Sequence, residues 1–214
     1  LAHYQQTIEQ AKVRRLSRLF PAVSFDLPVM TSPPPETAAP PDLLSVVIPF
    51  YNLGPYLEAT VNSVLASTYQ PLEVLIIDDG SSDETSRTVL AQLEARNSTN
   101  LRIIHARNQG LSLTRNLGAQ LARGHYLAFV DADDLVEPEF FDRAIRVLKT
   151  YDNVGLVYTW VQYFEGNDEW WPAWNSEFPY LLGHNMLTPL AVTYRNAFLQ
   201  HALNRPEMIY GYED

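Results

Sequence analysis

The feature that most constrains the fold is a regular alternation between short apolar runs and segments with helical periodicity. The apolar runs are rich in Val and Ile and suit strands buried on both faces, whereas the intervening segments repeat apolar residues at helical spacing. The predicted strands are 44–50, 73–78, 101–105 and 125–130, and the predicted helices are 55–67, 85–95, 111–122 and 137–150. Because helices separate the strands, right-handed crossovers should bring the strands together in a mainly parallel α/β sheet flanked by helices.

The first 42 residues differ in composition from this alternating region. Residues 1–20 predict a helix with few apolar positions and a basic cluster of Lys12, Arg14, Arg15 and Arg18. Residues 21–41 hold seven of the 15 prolines and no glycine, a composition that favours an extended, semi-rigid linker. We therefore expect residues 1–42 to form an N-terminal helix and a proline-rich linker, and residues 43–214 to form the folded domain.

Charge and composition exclude several classes of protein. A net charge of −10 disfavours a nucleic-acid partner, since polyanions bind basic surfaces. With no cysteine, the chain has no disulfide framework, thiolate nucleophile or zinc ribbon. It also lacks the run of about 18 apolar residues that a membrane-spanning helix requires. The basic N-terminal helix could contact an anionic membrane surface peripherally, although its thin apolar face favours docking onto a partner.

Acidic residues gather where two of the predicted strands end. Asp78 and Asp79 close one strand, and Asp131, Ala132 and Asp133 follow another. The carboxyl ends of parallel strands meet at one edge of a sheet, and ligands bind at that edge. In an extended segment, the D-A-D spacing points both carboxylates the same way, and carboxylate oxygens suit Mg²⁺ or Mn²⁺. This pattern predicts a divalent-cation site able to hold a diphosphate.

Four motifs follow one another along residues 43–214. They read LSVVIPFYN, LEVLIIDDGSSDET, NQGLSLTRNLGAQLARGHYLAFVDADD and GYED. Their order and spacing resemble those of glycosyltransferase family 2, whose members are inverting enzymes of the GT-A fold that use nucleotide-diphosphate sugars. The resemblance implies a GT-A domain with a nucleotide-binding half at about 43–134 and an acceptor-side half at about 135–214. It also suggests that the domain continues beyond residue 214.

The same resemblance implies roles for the first two motifs. One wall of the nucleotide pocket would be formed by four consecutive residues, with the tyrosine near the base: Pro49, Phe50, Tyr51 and Asn52. Asp79 would accept a hydrogen bond from the ring N–H of uracil, a donor that cytosine lacks. Gly80 would let the backbone turn sharply beside it.

The later motifs would supply the residues around the diphosphate and the reacting sugar. Arg115 would face the diphosphate or the acidic pocket, Asp131 would contact the ribose or the sugar, and Asp133 would bind the metal directly, with Ala132 between the two acids. Asp214 would be the general base. Other acids are expected to be structural: Asp134 and Glu137 should lie near the start of helix 137–150, where acids favour the N-terminus.

The implied function is transfer of a sugar from a nucleotide-diphosphate sugar, a UDP-sugar by preference, to a glycan or lipid-linked saccharide acceptor. It would take place in the cytoplasm, at the inner face of the membrane, in bacterial cell-envelope polysaccharide biosynthesis.

One alternative is a sugar-nucleotide-binding module without turnover, which would lack a working base. Another is a nucleotidyltransferase of related fold, which would carry a glycine-rich basic loop where Asn52-Leu53-Gly54-Pro55 stands. A phosphoacceptor receiver domain would need a lysine near a later strand, and the chain has only Lys12 and Lys149.

One segment has an unusual composition. Residues 158–180 contain nine of the 25 aromatic residues. Aromatic faces suit the C–H surfaces of sugars as well as large rigid protein contacts. The segment is therefore expected to be either an acceptor-binding surface or a core lid or subunit contact.

Overall fold

The described residues are organised around one mixed sheet. The computed structural model describes residues 40–164, 169–173, 190–201 and 203–204. All of them belong to one unit of the chain, residues 34–214. The strands are β1 (Leu44–Phe50), β2 (Leu72–Asp78), β3 (Leu101–His105), β4 (Tyr126–Phe129), β5 (Leu156–Tyr158), β6 (Val161–Gln162), β7 (Trp170–Trp171) and β8 (Ala191–Tyr194). The helices are α1 (Gly54–Leu65), α2 (Glu84–Ala95), α3 (Leu111–Leu121), α4 (Phe140–Thr150) and α5 (Arg195–His201).

The main sheet has six strands in the order β3-β2-β1-β4-β8-β5. The first four are parallel, as the alternation predicts, and β8 runs antiparallel to both β4 and β5. A separate two-stranded ribbon pairs β6 with β7. The chain builds the sheet outward from β1 to β3 and then returns to place β4 on the other side of β1. In open α/β sheets, ligands bind where the strand order reverses in this way. A ligand site is therefore expected at the carboxyl ends of β1 and β4.

The two faces of the sheet are covered by different helices. Alternate residues of a strand point to opposite faces. Val46 and Ile48 therefore pack in one cluster with Leu57 of α1 and residues of α2 and α4, and Val47 packs on the opposite face with α3. At Gly118 of α3, any side chain would collide with Val47, so glycine allows the helix to lie close against the sheet.

An ion pair between buried Glu73 and exposed Arg123 fixes the amino-terminal edge of the sheet. Glu73, only 2% exposed, accepts hydrogen bonds from Ser45 Oγ at 2.6 Å and from the backbone N of Arg123 at 2.8 Å. The Arg123 guanidinium donates two more, at 2.9 and 2.6 Å. Burial alone would raise the pKa of Glu73, but the hydrogen bonds from Ser45 and Arg123 hold that pKa below its ordinary value. The cluster joins β1, β2 and the residues leading into β4.

The prediction for the last long helix is partly wrong. Helix α4 begins at Phe140 and not at Glu137. The carbonyl of Pro138 accepts hydrogen bonds from Thr68 N at 2.9 Å and Thr68 Oγ1 at 3.1 Å, which holds residue 138 outside the helix. Asp134 and Glu137 consequently precede the helix, and the acid in its first turn is Asp142.

None of the described helices is both long and apolar enough to cross a bilayer. The N-terminal helix and linker, predicted at 1–42, lie almost entirely outside the described residues.

Candidate active site

The loop after β1 is tied to the loop after β2. Asn52 has a left-handed backbone, with φ of 54°, which turns its side chain toward the neighbouring loop. Its Oδ1 accepts hydrogen bonds from Ser82 N at 2.8 Å and Asp83 N at 3.3 Å, and its backbone N donates to Ser81 Oγ at 3.1 Å. Of the four residues expected to form a pocket wall, Tyr51 is exposed, whereas the side chains of Pro49 and Phe50 are buried. Pro49 and Phe50 therefore lie beneath the surface of the expected wall, whereas the ring of Tyr51 faces solvent.

Asp79 lies at the centre of the loops that follow β2 and β3. It is 4% exposed, and its two carboxylate oxygens accept hydrogen bonds from the backbone N–H groups of Gln109 at 2.8 Å and Gly110 at 2.9 Å. Gly80 has a φ of 77°, and a Cβ there would lie 3.0 Å from Asn108 N. Glycine is thus required both for the turn and for the close approach of the two loops.

Asp78, the neighbour of Asp79, holds the same loop in place through hydrogen bonds to its carboxylate. Its Oδ1 accepts from Ser81 N at 2.9 Å, and its Oδ2 lies 2.8 Å from His105 Nδ1 at the end of β3. The other ring nitrogen of His105 lies 3.0 Å from Glu94 Oε1 on α2. Hydrogen bonds to Asp78 and then Glu94 raise the pKa of His105 above its ordinary value, because both carboxylates favour the charged ring.

On the other side of β1, an ion pair joins α3 to the loop after β4. Arg115 is 4% exposed, and its Nη2 donates to Asp131 Oδ1 at 2.9 Å. The next residue, Ala132, is buried, and its carbonyl accepts from Thr60 Oγ1 of α1 at 2.9 Å. These contacts hold the D-A-D segment at the carboxyl end of β4, with its two acids in different environments.

Three carboxylates crowd this loop. Asp133 is exposed, whereas Asp134 is partly buried behind it, and Asp134 N closes a turn onto the Asp131 carbonyl at 3.0 Å. Burial, followed by the charges of Asp131 and Asp133, raises the pKa of Asp134 to about 6, and Arg115 opposes the rise only in part. The loop therefore carries more negative charge than the guanidinium of Arg115 neutralises.

Comparison of the sequence with known protein families identifies the family. The model of "Glycosyl transferase family 2" matches residues 45–202, which is most of the chain. The chain belongs to glycosyltransferase family 2. A relative from Nostoc sp., the "Uncharacterized glycosyltransferase alr2836", is 39% identical over 126 residues, covering 59% of this chain and 38% of the relative. The chain thus spans well under half the length of this curated relative.

Solved structures of other glycosyltransferases share the architecture. Residues 1–349 of S. aureus TarS in complex with UDP align with a TM-score of 0.64 at 22% identity, covering 79% of this chain and 52% of TarS 1–349. The mannosyltransferase PcManGT from Pyrobaculum calidifontis, in complex with GDP-Man and Mn²⁺, aligns with a TM-score of 0.58 at 20% identity, covering 77% of this chain and 48% of that one. These likenesses confirm the expected GT-A fold.

The donor atoms at the end of β4 fit the divalent cation that family 2 implies. Among residues 40–164, 169–173, 190–201 and 203–204, no three acidic, histidine or cysteine side chains form a ready-made metal cluster. Asp133 nevertheless offers exposed, hard oxygen ligands, and it lies on the same short loop as the carboxylates of Asp131 and Asp134. Such a donor set suits Mg²⁺ or Mn²⁺, which keep several waters and take further ligands from phosphates.

Of the predicted site residues, only Asp214, expected as general base, is missing from the part of the chain that the structure describes. Asn116, next to Arg115, exchanges two hydrogen bonds with the backbone of Asn204, at 2.8 and 2.9 Å, and so fixes the last described residue to α3.

Sequence reasoning missed several supporting residues. The backbone N–H groups of Gln109 and Gly110 that hold Asp79 were not anticipated, although a glycine after Asn-Gln is a turn signal. The bridge of His105 between Asp78 and Glu94 left no local signal, because its three members come from three separate elements.

Proposed function

We propose that this chain binds a nucleotide-diphosphate sugar, a UDP-sugar by preference, and transfers the sugar with inversion to a saccharide acceptor. One observation carries the proposal: Asp79 and the Asp131–Asp133 segment follow the two strands that flank β1, at the same edge of the sheet. Two strand spacings amount to about 10 Å, which suits a ligand with its base at one end and its diphosphate at the other. The complexes of TarS with UDP and of PcManGT with GDP-Man and Mn²⁺ support a ligand of this class.

In this proposal the base lies beside Tyr51 and Asp79. Each Asp79 oxygen already accepts one backbone hydrogen bond and keeps a further lone pair for the ring N–H of uracil. The exposed ring of Tyr51 supplies a face for the base to stack on. The loops around Asp79 are fixed before the ligand arrives, so binding would require little ordering.

The diphosphate lies at the end of β4. Asp133 would hold a divalent cation there, which when bound neutralises the charge of the leaving diphosphate. Arg115 orients Asp131 through their ion pair, so that Asp131 is placed to accept hydrogen bonds from ribose or sugar hydroxyls. Inversion then needs one base to take the proton from the attacking hydroxyl, and Asp214 is proposed for that role.

The second candidate is a module that binds nucleotide sugars without turnover. It shares every contact above and differs only at Asp214. The Asp214→Asn variant separates the two: we expect it to keep UDP binding and to lose transfer.

The proposed place of action is the cytoplasmic face of the membrane, with the basic N-terminal helix in contact with the membrane surface or with a partner protein.

A thermal-shift screen with UDP-, GDP- and dTDP-sugars, each with and without Mn²⁺, tests the proposal directly. UDP-sugars are expected to raise the melting temperature, and only with metal present, because ligands that bind the native state stabilise it. Glu137→Ala serves as the matched control for Asp133→Ala, since Glu137 is an exposed acid on the same loop. No shift with any nucleotide sugar would rule the proposal out.

A further inference from the structure

Two hydroxyl groups of α1 hold the loop that carries the D-A-D segment. This loop, residues 130–139, lies between β4 and α4, and we call it the acidic loop. Thr60 Oγ1 donates a hydrogen bond to the carbonyl of Ala132 at 2.9 Å. One turn further along α1, Ser63 Oγ accepts a hydrogen bond from Val136 N at 3.1 Å. Helix α1 therefore binds the acidic loop at the middle residue of the D-A-D segment and again four residues later.

The orientation of both hydroxyls is fixed. Thr60 is fully buried, and its other acceptor, the carbonyl of Tyr56, lies at 3.5 Å, so the single hydroxyl hydrogen favours Ala132. Ser63 Oγ donates to the carbonyl of Thr60 at 2.8 Å while it accepts from Val136 N. An apolar residue in place of Thr60 would leave the buried carbonyl of Ala132 without this donor, which is costly in the interior.

Helix α1 is itself anchored against α2 and the sheet. Gly54 N donates to Ser86 Oγ at 3.0 Å, and a Cβ at Gly54 would lie 2.6 Å from Ser86 N, so the first turn of α1 lies tightly against the start of α2. The fully buried side chains of Leu57 and Val61 pack in the core cluster that also contains residues of β1. The two hydroxyls thus fix the acidic loop to an element whose own position is fixed.

These contacts bear on the cation site of the proposed function. Asp133 directly follows Ala132 and is exposed. Hydrogen bonds that orient a metal ligand from outside the coordination shell contribute to metal affinity. We propose that Thr60 and Ser63 are positioning residues, which place the carboxylate of Asp133 and thereby set the affinity for the divalent cation that receives the diphosphate. The inference rests on the proposed function, because it requires the cation to bind at Asp133.

A purely structural role of the hydroxyls makes a different prediction. Thr60→Ser keeps the hydroxyl and removes a buried methyl group, whereas Thr60→Val keeps the shape and removes the hydroxyl. Both variants should lower the free energy of unfolding. A positioning role lowers the Mn²⁺ affinity of Thr60→Val and spares that of Thr60→Ser, whereas a purely structural role leaves the affinity unchanged in both folded variants.

Titration of the full chain with Mn²⁺, with and without UDP, tests the inference, and the electron paramagnetic resonance signal of the free ion measures binding. Thr60→Val and Ser63→Ala should each weaken Mn²⁺ binding on the order of tenfold, and Thr60→Ser should bind as the wild type does. Ser45→Ala is the matched control, because it removes another buried hydroxyl, which donates to Glu73 at the opposite edge of the sheet. Its Mn²⁺ affinity should not change.

Urea unfolding of each variant sets a temperature at which it is folded. Ser63 is only half-buried, so Ser63→Ala keeps the test decisive if Thr60→Val does not fold. Unchanged Mn²⁺ affinity in the folded variants that lack a hydroxyl would overturn the inference. An equal loss of affinity in Thr60→Ser and Ser45→Ala would overturn it as well.

Asp133→Ala, titrated beside these variants, separates the inference from the proposed function. If Asp133→Ala loses Mn²⁺ binding and the hydroxyl variants keep it, only the inference fails. If Mn²⁺ binding depends on the hydroxyls and on Asp133 but UDP does not bind, the inference holds and the proposed nucleotide site fails. A wild type that binds no Mn²⁺, with or without UDP, rejects both.

Discussion

Arg115 Nη2 lies 2.9 Å from Asp131 Oδ1, and this ion pair connects α3 to the acidic loop after β4. The guanidinium is almost fully buried, and it partly offsets the charge of the acids around it. Removal of either partner alone leaves a charge without its counterion in a setting that solvates it poorly. The pair thus links the stability of the domain to the placement of the acid expected to contact the donor.

We expect both Asp131→Asn and Arg115→Gln to lower the free energy of unfolding. The loss should be about 3 kcal/mol for Asp131→Asn, which takes the carboxylate away from the buried guanidinium of Arg115, and smaller for Arg115→Gln, which leaves a partly exposed carboxylate. The double variant should be less destabilised than the sum of the two, with a coupling of about 1–3 kcal/mol. Urea unfolding of the four proteins measures this coupling. Strictly additive effects would show that the pair does not act as a unit.

Buried Glu73, at the opposite edge of the sheet, should affect stability without affecting ligand binding. Glu73→Gln weakens the bonds to Ser45 and Arg123 and is expected to cost about 2 kcal/mol, since the Arg123 that remains is half-exposed. Because Glu73 lies at the amino end of β2, UDP affinity should not change at a temperature where the variant is folded. Calorimetry and urea unfolding measure the two quantities separately. A parallel loss of UDP affinity in the folded variant would contradict this division.

His105 should make stability depend on pH. The pKa of His105 is raised in the folded protein by Asp78 and Glu94, so folding favours the protonated ring. The stabilisation is fully present below the unfolded pKa of about 6.5 and is lost as the pH rises through the higher folded pKa. The stability advantage of the wild type over His105→Gln should therefore be largest in acid and shrink above neutrality, with Glu94→Gln in between. An advantage that is constant with pH, measured by urea unfolding, would exclude this role.

Asp79→Asn distinguishes base recognition from loop anchoring. An amide replaces one acceptor oxygen with a donor, which opposes the backbone N–H of Gln109 or Gly110 and weakens the loop. If Asp79 also accepts the uracil N–H, the variant should lose its preference for UDP over CDP as well as its affinity. Competition binding with both nucleotides measures the preference. Equal loss for UDP and CDP would assign Asp79 to anchoring alone.

The first four strands could be predicted because their signals are local. Each of β1 to β4 is an apolar or β-branched run next to a helical period, and the alternation itself implies parallel pairing. The strands β5 and β8 were missed because they have only three and four residues and are partly exposed. Their pairing joins Leu156–Tyr158 to Ala191–Tyr194, and contacts so distant in the sequence leave no periodic signal.

From the sequence, the candidate site could be predicted only for those residues that directly follow the end of a strand. Asp79 and Asp131 were placed by the rule for parallel sheets, but the partners of each come from other elements. The Arg115–Asp131 pair depends on how α3 lies against the sheet, and Gly118 determines that contact. Asp134 was expected to be a helix-start acid, but the helix begins only at Phe140, and Asp134 lies partly buried on the loop beside Asp131.

The measurement that tests the proposed donor site most directly is calorimetry of UDP binding with Mn²⁺ and with chelator, on the wild type, Asp133→Ala and the Glu137→Ala control. We expect the wild type and Glu137→Ala to bind UDP only with Mn²⁺ present, because the exposed carboxylate of Asp133 would hold the cation that receives the diphosphate. Asp133→Ala should not bind in either condition. UDP binding that is unchanged by both the chelator and Asp133→Ala would contradict a metal-dependent diphosphate site at the end of β4.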